Sequence, residues 1–212
     1  EPFVADKSVE SIGANLPTGA KYTLAVPKYV ADAGVKDFAD IAKHADKFGN
    51  KIYGIEAGND GNRLIQDMID KDAFGLKGFE VVESSEQGML AQVERAYRSR
   101  QPVVFLAWAP HPMNTHFNVR YLTGGDASFG PDYGAATVST LVRKGYQQEC
   151  PNVTRLLANL EFTIELENEW MDRILSDKVR TADLAVEWLA TRQPVVATWL
   201  EGVHRVDGRP AL

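Results

Sequence analysis

Two segments of this chain follow apolar stretches and carry groups that suit a small-molecule site. Residues 54–63 (GIEAGNDGNR) turn through glycines and open a helix, so unpaired backbone amides are available there as donors. Residues 103–108 (VVFLAW) form a second apolar stretch that ends on Trp108. Ligands of open parallel sheets bind at the carboxyl ends of the strands, so we expect both segments to face one crevice.

Each candidate ligand residue also has a plain structural interpretation. Asn59 either completes a tight turn or hydrogen-bonds the polar end of a ligand. Trp108 either packs in the core or, as the last residue of its strand, projects into the crevice. Tyr22 opens a strand, where ordinary packing is the alternative. These residues considered singly leave both interpretations open.

The candidates for enzyme chemistry do not form a complete catalytic set. Ser84 and Ser85 lie in a strand-to-helix turn, but the glycine that precedes the serine of a nucleophile elbow is absent, which favours helix capping. His111 and His116 are five residues apart in a proline-rich loop, whereas zinc ligands on one helix face are four apart with a glutamate between them. The sequence therefore favours neither catalysis nor a metal site.

Composition narrows the class of protein. The chain has 212 residues, of which 44% are hydrophobic, and a net charge of -6, which disfavours a nucleic-acid partner. No apolar run is long enough to predict a membrane span, and the opening residues do not resemble a signal peptide. We expect a chain that is cytosolic or already processed. Cys150 is the only cysteine, which excludes an internal disulfide.

Apolar periodicity predicts an α/β fold with a parallel sheet. Strands and helices alternate through the first half of the chain, an order typical of right-handed crossovers between parallel strands. The predicted strands are residues 21–26, 51–55, 79–83 and 102–108, and the predicted helices are residues 35–48, 61–71 and about 85–97.

The rest of the chain looks like part of a second lobe. A loop-rich connector follows Trp108 and leads to a β-rich stretch at residues 135–143 and to helices at about 151–160, 164–175 and 181–190. A short helix is predicted at about 8–16. We therefore expect one lobe at residues 20–140, and a mostly helical remainder of another at 1–19 and 141–212.

Several long motifs, in this order, resemble the choline-binding proteins of ABC transporters, within the wider glycine betaine-type group of periplasmic substrate-binding proteins. The motifs are residues 54–63 (GIEAGNDGNR), 78–93 (GFEVVESSEQGMLAQV), 105–113 (FLAWAPHPM), 124–133 (GGDASFGPDY) and 149–153 (ECPNV). The resemblance implies a two-lobed periplasmic binding protein fold of type II with parallel sheets, and a ligand enclosed when the lobes close.

The resemblance also implies roles for the candidate residues. Tyr22 and Trp108 correspond to two walls of an aromatic cage, and Asn59 corresponds to a residue that holds the polar end of the ligand. A trimethylammonium group has no N–H to donate, so aromatic faces recognise it through cation–π attraction. Family members bind such ligands for transport, without a cofactor or a metal.

The amino-terminal motifs of the family are absent from this sequence. A Gly-Trp-x-Asp-like segment and an Asn-Trp-Met-Pro segment do not occur, so further aromatic walls and an acidic partner would be missing, and the first lobe would be incomplete. The resemblance implies that Cys150 pairs with a cysteine near the amino end of the full protein, in an oxidising periplasm. We expect the absent segment and a membrane permease as partners, and weak binding of choline by this chain alone.

Three functions remain as hypotheses. The first is a binding protein for a quaternary ammonium compound, most of all choline, that serves an ABC importer. The second keeps the fold and replaces choline by glycine betaine or carnitine. The third is an enzyme for a small polar substrate, which would need a nucleophile or metal among Ser84, Ser85, His111 and His116.

Overall fold

The computed structural model describes residues 2–211 of the chain. The strands are β1 Val9–Pro27, β2 Lys51–Tyr53, β3 Glu80–Val82, β4 Phe105–Ala109, β5 Val119–Tyr121 and β6 Ala136–Arg143. The helices are α1 Pro2–Ala5, α2 Lys28–Asp32, α3 Phe38–Lys43, α4 Ala45–Phe48, α5 Asp60–Asp70, α6 Glu86–Ser99, α7 Met113–His116, α8 Asp126–Phe129, α9 Pro131–Gly134, α10 Tyr146–Glu149, α11 Pro151–Asn159, α12 Ile164–Leu175, α13 Thr181–Thr191 and α14 Gln193–Trp199. A short 3₁₀ helix spans Ala73–Gly75.

The chain divides into two compact units. The central unit consists of Ala20–Ala135, and the terminal unit combines residues 1–19 with residues 136–212. Strand β1 contributes Val9–Gly19 to the terminal unit and Ala20–Pro27 to the central unit. The assignment of these units to the two lobes of a binding protein stays a prediction.

The central unit is built on a mixed sheet with the strand order β3-β2-β4-β1-β5. Strand β2 runs parallel to β3 and β4, whereas β1 runs antiparallel to its neighbours β4 and β5. The expectation of parallel sheets is therefore wrong at β1. Helices connect β2, β3 and β4, and such crossovers enforce parallel strands. Helices α2 to α4 also lie between β1 and β2 in the chain, so the alternation of elements predicted a parallel β1. In the sheet β4 separates these two strands, and the pairing of β1 with β4 and β5, which come much later in the chain, shows its true direction.

The helix predicted at about 8–16 is also wrong, because these residues belong to strand β1. Gly13 and Pro17 both disfavour a helix. Glycine loses more conformational entropy than other residues when a helix forms, and proline lacks the N–H that a helix interior needs. The strand form gives the backbone a partner in β6. The Thr137 hydroxyl reinforces this pairing with a 3.1 Å hydrogen bond to the Pro17 carbonyl. A local pattern cannot reveal a partner so distant in sequence.

The core of the central unit lies on both faces of β4. Residues 103–107 are all buried, as expected for a strand covered on both sides by helices. Helix α6 starts at Ser85, whose hydroxyl oxygen accepts a 3.0 Å hydrogen bond from the Gly88 N–H, and it packs Met89, Val93 and Ala96 inward. The predicted capping role of Ser85 is thus confirmed.

The terminal unit holds β6, helices α10 to α14 and a cluster of large aromatic rings. Trp188 stacks on Trp199 with ring centroids 5.2 Å apart, and it meets Trp170 edge-on at 5.1 Å. Phe162 contacts both Trp170 and Trp199. These contacts join α12, α13 and α14, so aromatic packing forms the interior of this unit.

A buried asparagine fixes the loop that leads into α5. The Asn62 Oδ1 accepts from the Ile55 N–H at 3.0 Å, and its Nδ2 lies 3.0 Å from the Ile55 carbonyl, 3.1 Å from the Glu56 carbonyl and 3.1 Å from Glu83 Oε1. A Cβ atom on Gly54 would lie 2.2 Å from Asn62 Oδ1, so a glycine is required where the loop passes this side chain. Asn62 thereby sets the path of residues 54–59.

We predict that Asn62→Ala lowers the free energy of unfolding by about 1–3 kcal/mol, because it leaves the buried Ile55 N–H without its acceptor. The control Gln66→Ala removes an exposed amide that donates to Asp70 in the same helix, and it should change stability by less than about 0.5 kcal/mol. Urea denaturation of both variants measures the difference. Equal stabilities would contradict the role of Asn62.

Candidate functional site

The structure brings Tyr22 and Trp108 side by side in the central unit. They are register partners across the antiparallel strands β1 and β4, so their side chains point to the same face of the sheet. Their ring centroids are 6.5 Å apart and the ring planes are inclined by 46°. Both side chains are partly exposed, which leaves aromatic surface available to a ligand.

Asn59 completes this group at the start of α5. Its Oδ1 accepts a 2.8 Å hydrogen bond from the Gly61 N–H and a 2.6 Å hydrogen bond from the Tyr22 hydroxyl. The Gly61 N–H requires an acceptor, so the orientation of the amide is fixed and Nδ2 points away from both partners. Within residues 2–211, Nδ2 has no hydrogen bond of its own. Asn59 therefore presents the two spare N–H donors of its amide group beside Tyr22.

Two glycines allow Tyr22 to sit where it does. A Cβ atom on Gly61 would lie 2.3 Å from the Tyr22 hydroxyl oxygen, and one on Gly134 would lie 2.2 Å from the Tyr22 carbonyl oxygen. Gly134 also has a φ of +67°, a conformation that favours glycine. Gly61 belongs to the motif of residues 54–63 and Gly134 directly follows that of residues 124–133, but their contacts with Tyr22 could not be read from the sequence.

Phe129 is an aromatic neighbour that the sequence reasoning missed. It meets Tyr22 edge-on with ring centroids 6.3 Å apart and also contacts the buried ring of Phe38, with centroids 5.9 Å apart. Phe129 thus connects Tyr22 to the core. Its place in the segment GGDASFGPDY was the only available signal.

His111 packs behind Trp108 as a neutral imidazole. The ring centroids are 5.1 Å apart, and His111 is only 5% exposed. Nδ1 accepts a 3.0 Å hydrogen bond from the Met113 N–H, which leaves the proton on Nε2, 3.3 Å from Glu86 Oε1. Burial lowers the pKa of His111, and the neighbouring Glu86 carboxylate only partly opposes this.

Two acidic residues lie close enough to Tyr22 to affect its hydroxyl. Burial raises the pKa of the Tyr22 hydroxyl, and the negative charges of Asp60 and Glu56 raise it further, while hydrogen bonds with Gly61 and Asn59 act in the opposite direction. Glu56 also accepts a 3.2 Å hydrogen bond from the Glu86 N–H. The electrostatic surroundings of Tyr22 therefore favour a cation over an anion.

The residues considered for catalysis have structural contacts. The Ser84 hydroxyl donates to the Ser85 carbonyl at 3.0 Å, Ser85 caps α6, and His111 lies in the contacts described above. His116 ends the short helix α7. In the part of the chain that the structure describes, no three His, Cys, Asp or Glu side chains gather as a metal site. None of the helices in residues 2–211 is long and apolar enough to cross a membrane.

Comparison with known proteins identifies the family. A model of the substrate-binding domain of the ABC-type glycine betaine transport system, OpuAC, matches residues 1–191. The chain belongs to this family.

Solved structures agree with this assignment. An ABC-transporter choline-binding protein in complex with choline is 57% identical, has a TM-score of 0.84, and is matched over 99% of this chain and 72% of its own. Lactococcal OpuAC in its closed, glycine betaine-bound conformation is 27% identical, with a TM-score of 0.75 over 92% of this chain and 72% of its own. The fold is therefore a mixed α/β fold of the periplasmic binding protein kind.

A curated relative has a related name. The glycine betaine/carnitine transport binding protein GbuC of Listeria monocytogenes is 29% identical over 74% of this chain. That match covers 51% of GbuC, so the chain spans about half the length of this relative. The incompleteness of the first lobe stays a prediction.

We predict that Gly61→Ala displaces Tyr22 and lowers the free energy of unfolding by about 1–3 kcal/mol, because the added methyl group overlaps the Tyr22 hydroxyl. The control Gly88→Ala also adds a methyl group to a helix, where its nearest contact is the movable Ser84 hydroxyl at 3.1 Å. Thermal and urea denaturation of both variants test this. A Gly61→Ala protein as stable as Gly88→Ala would contradict the steric argument.

We predict a pH dependence from His111. Its folded-state pKa lies below the unfolded value near 6.5, so its contribution to stability is complete above that value and is lost as the pH falls from there through the folded-state pKa. The measurement is the difference in unfolding free energy between the wild type and His111→Asn, a variant that keeps an acceptor for the Met113 N–H, from pH 8 to pH 5. A difference that does not change with pH would contradict the neutral imidazole.

Proposed function

We propose that this chain is the ligand-binding part of a substrate-binding protein that delivers choline to an ABC importer. The observation that carries the proposal is the pair of aromatic rings, Tyr22 and Trp108, beside the spare amide donors of Asn59. Two partly exposed rings on one face suit a cationic group that has no N–H to donate. The ligand of the 57% identical structure, choline, carries such a trimethylammonium group.

Charge supports choline over a zwitterion. Asp60 and Glu56 both act on Tyr22, so the position in front of this ring is favourable for a net positive charge. Choline carries only its ammonium charge, whereas glycine betaine also carries a carboxylate that these acids would repel. The Asn59 amide nitrogen is a suitable donor to the choline hydroxyl. These features together favour choline over glycine betaine.

Glycine betaine or carnitine is the second candidate ligand. The family description, the lactococcal structure and the name of GbuC favour this class of compound. A carboxylate would need more donors than the Asn59 amide, and the first turn of α5 is the nearest source of them. Both candidates share the trimethylammonium group and differ only at the polar end.

The proposed function also requires a further protein segment, a permease and an oxidising compartment. We propose that the site gains further aromatic walls and an acidic partner from a segment equivalent to the part of the choline-binding structure that this chain does not match. The permease of an ABC importer would be the second partner, and the periplasm the location. In that compartment Cys150, which is partly buried at the start of α11, would be the partner of a cysteine in the absent segment. We propose transport, not catalysis, as the role.

We predict that the 212-residue chain alone binds choline with a dissociation constant above about 1 mM, because half-open aromatic rings contribute only about 0.5–1 kcal/mol each. A chimera that adds the unmatched part of the choline-binding relative should bind choline in the micromolar range or tighter. Calorimetric titration measures both. In the chimera, Trp108→Leu should weaken binding at least about tenfold, because an enclosed ring contributes roughly 2 kcal/mol.

The control ligand is 3,3-dimethylbutan-1-ol, which has the shape of choline without its charge. It should bind the chimera far more weakly than choline if cation–π attraction dominates. Tighter binding of glycine betaine than of choline would select the second candidate. A chimera that is folded but binds none of the quaternary ammonium compounds would overturn the proposed function.

A further inference from the structure

The side chain of Asn114 closes the turn that follows Trp108. Its Nδ2 group donates to the Trp108 carbonyl at 2.9 Å and to the His111 carbonyl at 2.8 Å. One amide therefore holds both ends of residues 108–111. These ends carry the indole and the imidazole that pack against each other. Both N–H bonds of the amide are used, so its orientation is determined.

Tyr121 holds Asn114 in place. Its hydroxyl donates a 2.7 Å hydrogen bond to Asn114 Oδ1, and burial raises the pKa of this hydroxyl, which keeps it protonated as a donor. The Asn114 amide thus has its donor and acceptor sides both occupied by protein groups. A fully paired amide in a partly buried position resists rotation, because each alternative orientation leaves a polar group without a partner.

The ring of Tyr121 is itself held by a cation. The Lys21 ammonium lies 5.2 Å from the Tyr121 centroid and 4.9 Å from the Tyr133 centroid. Tyr121 is the register partner of Ala25, which lies an even number of residues from Lys21, so both side chains are on the sheet face opposite Tyr22. Lys21 therefore fixes the network without presenting its charge to the face that carries Tyr22 and Trp108.

We propose that Asn114 and Tyr121 are positioning residues that set the geometry of the Trp108 indole relative to Tyr22. Neither side chain needs to touch the ligand. Cation–π attraction depends on where the cation lies over a ring, so a mobile Trp108 backbone would weaken binding even if the indole stayed present. The consequence for ligand affinity rests on the proposed function, whereas the consequence for the Trp108 geometry does not.

The experiment is ¹⁹F NMR of protein labelled with 5-fluorotryptophan. The chain has four tryptophans, so the spectrum contains few signals, and Trp108→Phe assigns the relevant one. The variant Tyr121→Phe keeps the ring over Lys21 and removes only the hydroxyl. Asn114→Asp keeps an acceptor for Tyr121 but loses both donors. The signals of Trp170, Trp188 and Trp199 report on general unfolding.

A matched control removes a similar hydroxyl elsewhere in the same unit. The Tyr29 hydroxyl donates to the Gln101 carbonyl at 2.6 Å. The other groups that Tyr29 contacts belong to Ala96, Tyr97 and Arg100, which lie outside residues 108–114. Tyr29→Phe should leave the Trp108 signal unchanged. Tyr121→Phe and Asn114→Asp should shift or broaden that signal while the other tryptophan signals stay in place. An unchanged Trp108 signal in both site variants would overturn the positioning role.

The ligand arm uses choline and the chimera described above. Tyr121→Phe should weaken choline binding by about twofold to tenfold, the factor that corresponds to one lost neutral hydrogen bond. If the Trp108 signal shifts but choline affinity equals that of the wild type, the link from geometry to binding is overturned. If the signal shifts and the wild-type chimera binds no quaternary ammonium compound, the proposed function fails and the positioning role stands.

Discussion

The close approach of Tyr22 to the start of α5 is the constraint on which the candidate site depends. The Tyr22 hydroxyl can reach Asn59 only because Gly61 has no side chain, and the backbone at Tyr22 has room only because Gly134 has none. The register of β1 and β4 in turn pairs Tyr22 with Trp108. A side chain on either glycine would change all of these relations at once. Sterics, more than any single hydrogen bond, therefore determine the arrangement.

The local sequence pattern predicted the helices and strands that carry the site better than it predicted how the strands pair in the sheet. Helix α5, the Ser85 cap and strand β4 depend on nearby residues, so periodicity and capping chemistry revealed them. The direction of β1 depends on β4, β5 and β6, which lie far away in sequence, and it was missed. The strand ends predicted that the segments of Asn59 and Trp108 face one crevice, whereas the addition of Tyr22 to this group rested on family resemblance. Their roles in ligand binding remain predictions.

The residues that were missed share one property: each acts through groups whose partners are set by tertiary structure. Asn62 lies in the motif of residues 54–63 and Asn114 directly follows that of residues 105–113, but both residues matter through the backbone groups with which they hydrogen-bond. Phe129 matters because of its edge contact with Tyr22. No spacing rule predicts such contacts, because an asparagine side chain can hydrogen-bond either to backbone groups or to solvent. Burial had to be known first.

The charged groups of the central unit keep the Lys21 ammonium away from the sheet face on which a cationic ligand would bind. Lys21 is held by tyrosine rings on one face of the sheet, and the acids Glu56 and Asp60 act on Tyr22, which is on the other. His111 packs against Trp108, but burial lowers its pKa and its Nδ1 accepts from the Met113 N–H, so it does not place a competing cation there. The face with Tyr22 and Trp108 is therefore left as the position where an added cation is favoured. A site arranged in this way gains affinity mainly from enclosure, because its charges and rings are already in place before a ligand arrives.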